Sequence, residues 1–354
     1  MHIAVVGAGI VGLCTAWELR QRGHTVTVYD PEPVSEASYA AAGMLAPVSE
    51  VVWDQPTLYP LMQQSKELYP VFAQRVAEAS GMDIGYLTSE TLVCAGDPAD
   101  RTTLTELVEL QEHIGQVAPI SSRQARSMEP GLGPGVVGAV HIPGDHQIDP
   151  RKFCAALLHL LGPDVVQEKV TSLELDADHV VVAAGLRSCE IAGVPQLPLR
   201  PVYGDVLRLD VPEYLQPLVT RTVRGVVRGR PVYIVPRSDG SIVLGATSRE
   251  DGPGVSAEGV HQLLRDAHHL VPGIWECSIT EMTCRARPGS PDDVPMIGQI
   301  SDHATVSTGY FRHGILLSVI GAKLTADVVL GVPVPEETAA AIDPFRFNKG
   351  AQKQ

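Results

Sequence analysis

Three glycines, Gly7, Gly9 and Gly12, restrict the fold of this 354-residue chain more than any other feature. They stand in G-x-G-x-x-G spacing between an apolar run typical of a buried parallel strand and a segment with helical periodicity. A second short strand follows and ends at Asp30. In this arrangement the first glycine allows a tight turn, the second lets a pyrophosphate approach the backbone, and the third lets the helix pack against the strand.

The start of the predicted helix offers free N–H groups and a partial positive charge to phosphates. Asp30 is placed to accept hydrogen bonds from a ribose diol. We therefore predict a dinucleotide-binding βαβ unit, and the motif alone leaves FAD and NAD open. Its predicted cofactor-binding residues are Gly7, Gly9, Ile10, Val11, Gly12 and Asp30.

The overall composition narrows the function classes. Hydrophobic residues make up 44% of the chain and charged residues 19%, which provides for a large core and excludes a disordered chain. The formal net charge is −14, from 41 acidic and 27 basic residues. Because such a surface repels phosphate backbones and anionic lipid, we expect neither nucleic acid nor a membrane as partner. A homo-oligomer is compatible with this composition.

The cysteines and the N-terminal segment predict a cytoplasmic location. The six cysteines show no C-x-x-C spacing, which favours free thiols over a disulfide framework, and we expect no bound metal ion. The apolar segment 3–17 lacks the basic flank and the cleavage site of a signal peptide. No apolar run reaches the roughly 18 residues that span a bilayer.

The two ends of the chain differ from its middle. Small residues fill segment 38–47, and an apolar strand ends in glycine at Gly185, as expected where a bulky ligand lies close to the backbone. Short alternating strands predominate between residues 200 and 287. Residues 315–330 have helical periodicity, and we expect the polar tail after Gly331 to be frayed. This order predicts a discontinuous nucleotide-binding domain interrupted by an antiparallel sheet domain.

Four further motifs are AAAGML at 40–45, YIVPR at 233–237, ARPGS at 286–290 and GYFRHGILL at 309–317. Together with the glycine turn, and in their spacing, they resemble the D-amino-acid oxidase family of FAD enzymes. The resemblance implies an α/β plus α+β fold, with a Rossmann-like (glutathione-reductase-like) FAD-binding domain and an inserted antiparallel β-sheet substrate-binding domain. It also implies FAD as cofactor. We expect FAD to be non-covalent, because no cysteine stands in the flavin-attachment context of the sarcosine oxidases.

The resemblance divides the chain between the two domains and assigns cofactor contacts outside the glycine turn. The predicted FAD-binding domain comprises residues 1–50, 145–198 and 288–354, and the predicted substrate-binding domain comprises residues 51–144 and 199–287. The segment with Ser38 and residues 42–44 matches one that lies along the cofactor. Val170 matches a position beside the adenine, and Gly185 matches a strand end. The loop and helix start at 312–316 match a segment that lies against the pyrimidine edge of the flavin. These positions are Ser38, Ala42, Gly43, Met44, Val170, Gly185, Arg312, His313, Gly314, Ile315 and Leu316.

Three predicted catalytic residues also follow from the resemblance. Arg287 matches the arginine that binds the substrate carboxylate, and its planar fork suits bidentate recognition. Tyr233 matches a tyrosine whose hydroxyl binds the same carboxylate. Arg312 is either an electrostatic residue beside the flavin or a member of a structural ion pair.

The implied reaction is oxidative deamination of glycine, or of another small amine or D-amino acid. Hydride passes from Cα to flavin N5, the imine hydrolyses to a 2-oxo acid and ammonia, and molecular oxygen reoxidises the flavin to give hydrogen peroxide. The implied pathway is thiamine biosynthesis. Pro231, Thr247 and Ser248 stand where glycine-oxidising members carry polar and methionine side chains, which leaves the preferred substrate open.

Three alternatives remain. The same chemistry can act on sarcosine, on a D-amino acid or on a cyclic imino acid. A flavin dehydrogenase passes its electrons to a quinone instead of oxygen. A flavin-binding module for RNA modification or protein interaction is the third, and the acidic net charge argues against it.

Overall fold

The strands of this computed structural model, which describes residues 1–50 and 55–347, are distributed over three sheets. Numbered along the chain, they are β1 (His2–Val6), β2 (Thr25–Tyr29), β3 (Met44–Leu45), β4 (Thr91–Ala95), β5 (Ala118–Ile120), β6 (Gly138–Ile142), β7 (His146–Gln147), β8 (Val165–Val166), β9 (His179–Val182), β10 (Arg200–Asp210), β11 (Thr222–Val227), β12 (Arg230–Pro236), β13 (Ile242–Gly245), β14 (Ser278–Gly289), β15 (Met296–Ser301) and β16 (Ala304–Thr308).

A six-stranded sheet has the spatial order β15-β16-β9-β1-β2-β8. All neighbours are parallel except the edge pair β15 and β16. An eight-stranded sheet has the order β14-β10-β13-β12-β11-β4-β6-β5, and its pairs are antiparallel except β11 with β4. β3 and β7 form a small antiparallel ribbon. The two-sheet fold class predicted from the sequence is confirmed, with one parallel pair inside the second sheet.

The helices cover the parallel sheet and one face of the second sheet. They are α1 (Ile10–Gln21), α2 (Ala37–Ala40), α3 (Tyr59–Ser80), α4 (Pro98–Gln111), α5 (Ser122–Met128), α6 (Pro150–Leu161), α7 (Ala257–Leu270), α8 (Ser318–Val329) and α9 (Glu336–Ile342). The largest apolar core joins β1 and β2 to α1, α3, α6 and α8, and the Tyr69 ring lies 6.1 Å from the Phe153 ring within it. A second core fills the space between the eight-stranded sheet and α7.

Two expectations near the C-terminus are wrong. The tail after Gly331 is not frayed throughout, because α9 forms there and buries Ile342. The helix predicted from residue 315 begins only at Ser318, since residues 314–317 form turns. Residues 51–54 and 348–354, which belong to the predicted domain ranges, lie outside the described residues.

The helices of residues 1–50 and 55–347 do not combine the length and the apolar content that crossing a bilayer requires. All six cysteines are free thiols.

Candidate active site

One cleft of about 970 Å³ lies between the two sheets. The turns after β1, β2 and β9 line one end of the cleft, and one face of the eight-stranded sheet lines the other. Every site residue predicted from the sequence lines this cleft except Gly12. The structure thus brings together segments that are more than 300 residues apart in the chain.

Close packing explains the glycines of the β1–α1 turn. Gly7 has a φ of +111°, and a Cβ there would lie 2.4 Å from the Ala183 carbonyl oxygen. Gly12 faces the strand and not the cleft, and its Cβ would lie 1.9 Å from the Gly7 carbonyl oxygen. Gly12 therefore supports the turn by letting α1 approach β1, and it does not itself line the cleft.

The first turn of α1 is partly capped from outside the helix. The Ile10 N–H donates to the Ser38 Oγ over 3.0 Å, so this predicted phosphate donor already has a partner. The Val11 N–H makes no backbone hydrogen bond within the described chain and stays available at the cleft. Free N–H groups at a helix start favour a negatively charged ligand.

Asp30 lies at the end of β2 and faces the cleft. One carboxylate oxygen accepts from the Ala8 N–H over 2.7 Å, and the other accepts from the Glu32 N–H over 2.9 Å. Each carboxylate oxygen can accept further hydrogen bonds. The orientation of Asp30 is therefore fixed by the backbone while capacity for a diol remains.

The segment Ala42-Gly43-Met44 is held from the second sheet. Gly43 has a φ of +80°, and a Cβ there would lie 1.9 Å from the Ile148 carbonyl oxygen. Arg237, which is buried, donates from Nη2 to the Ala42 carbonyl oxygen over 2.7 Å. Burial lowers the pKa of Arg237 to about 10, and the guanidinium stays charged at neutral pH. This anchor was not predicted from the sequence, although Arg237 ends the YIVPR motif.

The loop before α8 presents backbone donors to the cleft. The N–H groups of Gly314, Ile315 and Leu316 make no backbone hydrogen bond within the described residues. His313 is buried beside them, and burial together with the Arg312 cation lowers its pKa to about 3. His313 is therefore neutral at physiological pH. Gly185 is held nearby, because its carbonyl oxygen accepts from Thr308 Oγ1 over 3.0 Å.

Strand register places a row of site residues on one face of the eight-stranded sheet. Val202 on β10 is paired with Arg287 on β14, and Gly204 follows on the same face of β10. On the neighbouring strands, Tyr233 is paired with Gly245 and, on its other side, with Arg224. We call this row the substrate face: it consists of Arg287, Gly204, Gly245, Tyr233 and Arg224.

Two glycines of the substrate face make room for the larger side chains. A Cβ at Gly204 would lie 2.3 Å from Arg287 Nη2, and a Cβ at Gly245 would lie 2.5 Å from the Tyr233 hydroxyl oxygen. Arg287 and Tyr233 therefore lean toward each other over the two glycines. Gly204 and Gly245 were not predicted from the sequence, because only strand pairing reveals which side chains lie next to them.

Arg287 has a free binding edge. Its only hydrogen bond within the described chain runs from Nη1 to the Thr247 carbonyl oxygen over 3.3 Å, and it has no carboxylate partner there. The Tyr233 hydroxyl makes no hydrogen bond to the described residues. Burial raises the pKa of Tyr233 above its ordinary value although the Arg287 cation lowers it, so the phenol is neutral and can donate. The pair can bind one carboxylate.

Glu50 joins two further arginines at the edge of the substrate face. Arg224 Nη1 donates to one carboxylate oxygen of Glu50, and Arg312 Nε lies 3.2 Å from the other. Although burial opposes ionisation, the Arg224 and Arg312 cations lower the pKa of Glu50 to about 2. Arg312 is thus a member of an ion-pair network and also lines the cleft. Neither Glu50 nor Arg224 stood out in the sequence.

The residues that depart from the family pattern also lie at the cleft. Pro231 lines it beside Tyr233, and Thr247 and Ser248 line it near Arg287. The Thr247 hydroxyl donates to Asp205 Oδ2 over 2.8 Å and accepts from the Asp205 N–H. The hydrogen bonds of the Thr247 hydroxyl therefore go to β10.

The cleft fits an FAD molecule. It has positive-φ glycines whose Cβ would meet backbone and a carboxylate at the end of β2. It also has free N–H groups at the start of α1 and in the loop before α8. Its volume of about 970 Å³ lies at the upper end of the range for ligand-binding clefts in proteins.

A family model described as FAD dependent oxidoreductase matches residues 2–328. The chain belongs to this family. The resemblance read from the sequence motifs is therefore confirmed at the level of the family.

Named relatives of the family extend over nearly the whole chain. The bifunctional protein ThiO/ThiG of Trichormus variabilis is 32% identical over 378 aligned positions, which cover 99% of this chain and 55% of that protein. The chain thus spans about half the length of this relative. The glycine oxidase of Geobacillus kaustophilus is 31% identical, over 98% of this chain and 96% of that protein. The crystal structure of glycine oxidase from the same organism matches with a TM-score of 0.87 at 30% identity, covering 97% of this chain and 98% of that one.

Proposed function

We propose that this chain is a FAD-dependent oxidase that deaminates glycine or another small amino acid, with oxygen as electron acceptor. The supporting observation is the substrate face, where Arg287 and Tyr233 lean over Gly204 and Gly245 and lack acidic or hydroxyl partners among the described residues. Such a pair matches a single carboxylate. The names of the glycine oxidases among the relatives support glycine as the first substrate to test.

We assign the cofactor to the opposite side of the cleft, without a covalent bond. The β1–α1 turn would hold the pyrophosphate, Asp30 would hold the ribose, and the N–H groups of residues 314–316 would meet the flavin edge. When bound, FAD supplies the two-electron acceptor, and oxygen returns it to the oxidised state with formation of hydrogen peroxide.

The protein side chains bind and orient the substrate. Arg287 holds the carboxylate in a bidentate contact and the neutral Tyr233 donates a hydrogen bond to it, which fixes the direction of the Cα–H bond. His313 is neutral and buried, and Glu50 is ionised and paired with two arginines, so neither is available as a base. The substrate amine therefore has to arrive neutral.

The experiment is anaerobic mixing of the flavin-loaded protein with glycine, sarcosine, D-alanine and D-proline, followed by admission of air and a peroxide assay. We expect at least one amine to abolish the flavin absorbance. On reoxidation, the amount of peroxide should equal the amount of reduced flavin. Full reduction followed by slow reoxidation without peroxide would replace the oxidase with a dehydrogenase. No reduction by any amine would refute the proposal.

Thiamine biosynthesis as the pathway, a cytoplasmic location and a homo-oligomeric state remain predictions from the sequence. The division of the chain into two domains at the stated boundaries also remains a prediction.

A further inference from the structure

We propose that Glu50 restricts the substrate pocket to one carboxylate, because it pairs with Arg224 and Arg312 and leaves Arg287 as the guanidinium of the substrate face without a carboxylate partner among the described residues. This inference rests on the proposed amine oxidation and names the class of substrate: amino acids with a single carboxylate. Release of Glu50 would free cations for a second carboxylate.

Three guanidinium groups lie at the end of the cleft that the eight-stranded sheet lines. Arg287 and Arg224 belong to the substrate face, on either side of Tyr233, and Arg312 comes from the loop before α8. The Arg287, Arg224 and Arg237 cations and the Glu50 carboxylate all act on the pKa of the Tyr233 phenol, and Arg287, Arg224 and Glu50 line the cleft together with Tyr233. Along the sheet, strand β11 with Arg224 lies farther from strand β14 with Arg287 than strand β12 with Tyr233 does.

Glu50 binds one donor nitrogen of Arg224 and two of Arg312. One carboxylate oxygen accepts from Arg224 Nη1, the other lies 3.2 Å from Arg312 Nε, and the Glu50 carbonyl oxygen accepts from Arg312 Nη2 over 3.4 Å. The Glu50 side chain is only 11% exposed and that of Arg224 is 17% exposed, so water weakens their attraction little. Arg287 has no such partner among residues 1–50 and 55–347.

The backbone in front of Glu50 is itself anchored. Asp145, which is fully buried in the turn between β6 and β7, accepts from the Val48 N–H over 3.2 Å and from the Ser49 N–H over 3.0 Å. Ser49 Oγ accepts from Arg224 Nη1 over 3.3 Å. Glu50 is therefore held in place between the two arginines.

The charges determine what the pocket accepts. Glu50 reduces the formal charge of the Arg224 and Arg312 cluster from +2 to +1, and Arg287 supplies a separate cation for one substrate carboxylate. A second carboxylate bound at Arg224 or Arg312 would lie beside the negative charge of Glu50, which already pairs with both. Juxtaposed like charges disfavour the wrong ligand and thereby contribute to specificity.

The test compares glycine with iminodiacetate, which is glycine with a second carboxylate on nitrogen. In the flavin-loaded Glu50→Gln variant, the ratio of kcat/KM for iminodiacetate to that for glycine is expected to rise by about tenfold or more, as for one gained charge-assisted hydrogen bond. The rise should come mainly from KM. Glu50→Asp, which keeps the charge, should restore most of the wild-type preference.

The matched control is Asp266→Asn on α7. Asp266 also accepts from two arginines, Arg230 and Arg265, but it lies outside the cleft. Its ratio of kcat/KM values should equal that of the wild type. An unchanged ratio in Glu50→Gln, or an equal change in both variants, would overturn the inference.

Binding of acetate and of malonate, measured through the change in flavin absorbance, tests the inference without turnover. Wild-type protein should bind malonate no more tightly than acetate, and Glu50→Gln should reverse this order. If wild-type protein binds malonate more tightly, the inference is refuted even where the variant does not fold. If no amine reduces the flavin but the malonate order reverses, the proposed oxidation fails while the role of Glu50 stands.

Discussion

The two ends of the cleft are built from different parts of the polypeptide. The cofactor end consists mainly of backbone: positive-φ glycines, strand ends and free N–H groups from short contiguous segments. The substrate end consists of side chains and two glycines on five neighbouring strands, which meet only through sheet register. A backbone site suits a large ligand of fixed shape, whereas a side-chain site can change its substrate by single substitutions.

The difference predicts which kind of substitution each end tolerates. At the cofactor end, added volume should be the most damaging change, because backbone atoms cannot rotate away. At the substrate end, loss of one charged or hydrogen-bonding group should dominate. The predictions below test this contrast.

Gly7→Ala should have the largest effect, at the cofactor end. Its Cβ would lie 2.4 Å from the Ala183 carbonyl oxygen at a φ of +111°, so overpacking adds to backbone strain. We expect FAD affinity to fall by about 1,000-fold, measured as flavin retained at a given free FAD concentration. Gly23→Ala is the control, since Gly23 has a φ of +87° but open space around it. Equal losses in both variants would show that strain, and not the close approach, matters.

Arg287→Lys should be the most damaging charge-conserving change at the substrate end. Lysine keeps the charge but loses the planar fork, and we expect kcat/KM for glycine to fall on the order of 100-fold with flavin content unchanged. Arg126→Lys is the matched control, because Arg126 also bonds backbone carbonyl groups and has no carboxylate partner in the described chain. Wild-type kinetics in Arg287→Lys would remove Arg287 from the site.

Gly204→Ala tests the room under Arg287. The new Cβ would lie 2.3 Å from Arg287 Nη2, and the guanidinium, being the end of a flexible side chain, would move aside. We expect KM for glycine to rise about tenfold while the thermal unfolding midpoint changes little. Gly138→Ala in β6, whose Cβ would meet its nearest atom at 3.3 Å, serves as control. A large loss of stability with unchanged KM would contradict this role.

Protein side chains should contribute least to the pH dependence of flavin reduction. The pKa of His313 is lowered to about 3 by burial and that of Glu50 to about 2 by its arginines, so neither group titrates between about pH 5 and 9. The rate of flavin reduction should therefore rise with pH along the deprotonation of the substrate amine. The midpoint should shift between glycine and sarcosine as their amine pKa values differ, and a common midpoint near pH 6–7 would reveal a protein base.

The sequence predicts the cofactor end better than the substrate end, for a physical reason. The turn from Gly7 to Gly12 and the carboxylate at Asp30 lie within one βαβ unit, where spacing along the chain determines spacing in the fold. Even there, the Ser38 hydroxyl on the Ile10 N–H could not be foreseen, because it arrives from another loop.

The substrate face depends on pairings between distant strands. Arg287 and Tyr233 were named only through the family resemblance, and Gly204, Gly245, Arg224 and Glu50 were not found. Register decides that Tyr233 lies opposite Gly245 and Arg224, and the sequence contains no local signal for that register. Helix α9 was missed for a similar reason, because burial of Ile342 against the main core stabilises a short polar segment.

The most direct test of the account compares glycine with methylamine, which has the amine but lacks the carboxylate. Both are mixed anaerobically with flavin-loaded wild-type protein and with Arg287→Lys, and the loss of flavin absorbance is followed. The account predicts fast, saturable reduction of the wild type by glycine, at least about 100-fold slower reduction by methylamine, and convergence of the two in Arg287→Lys. Equal reduction of the wild type by glycine and methylamine would contradict it.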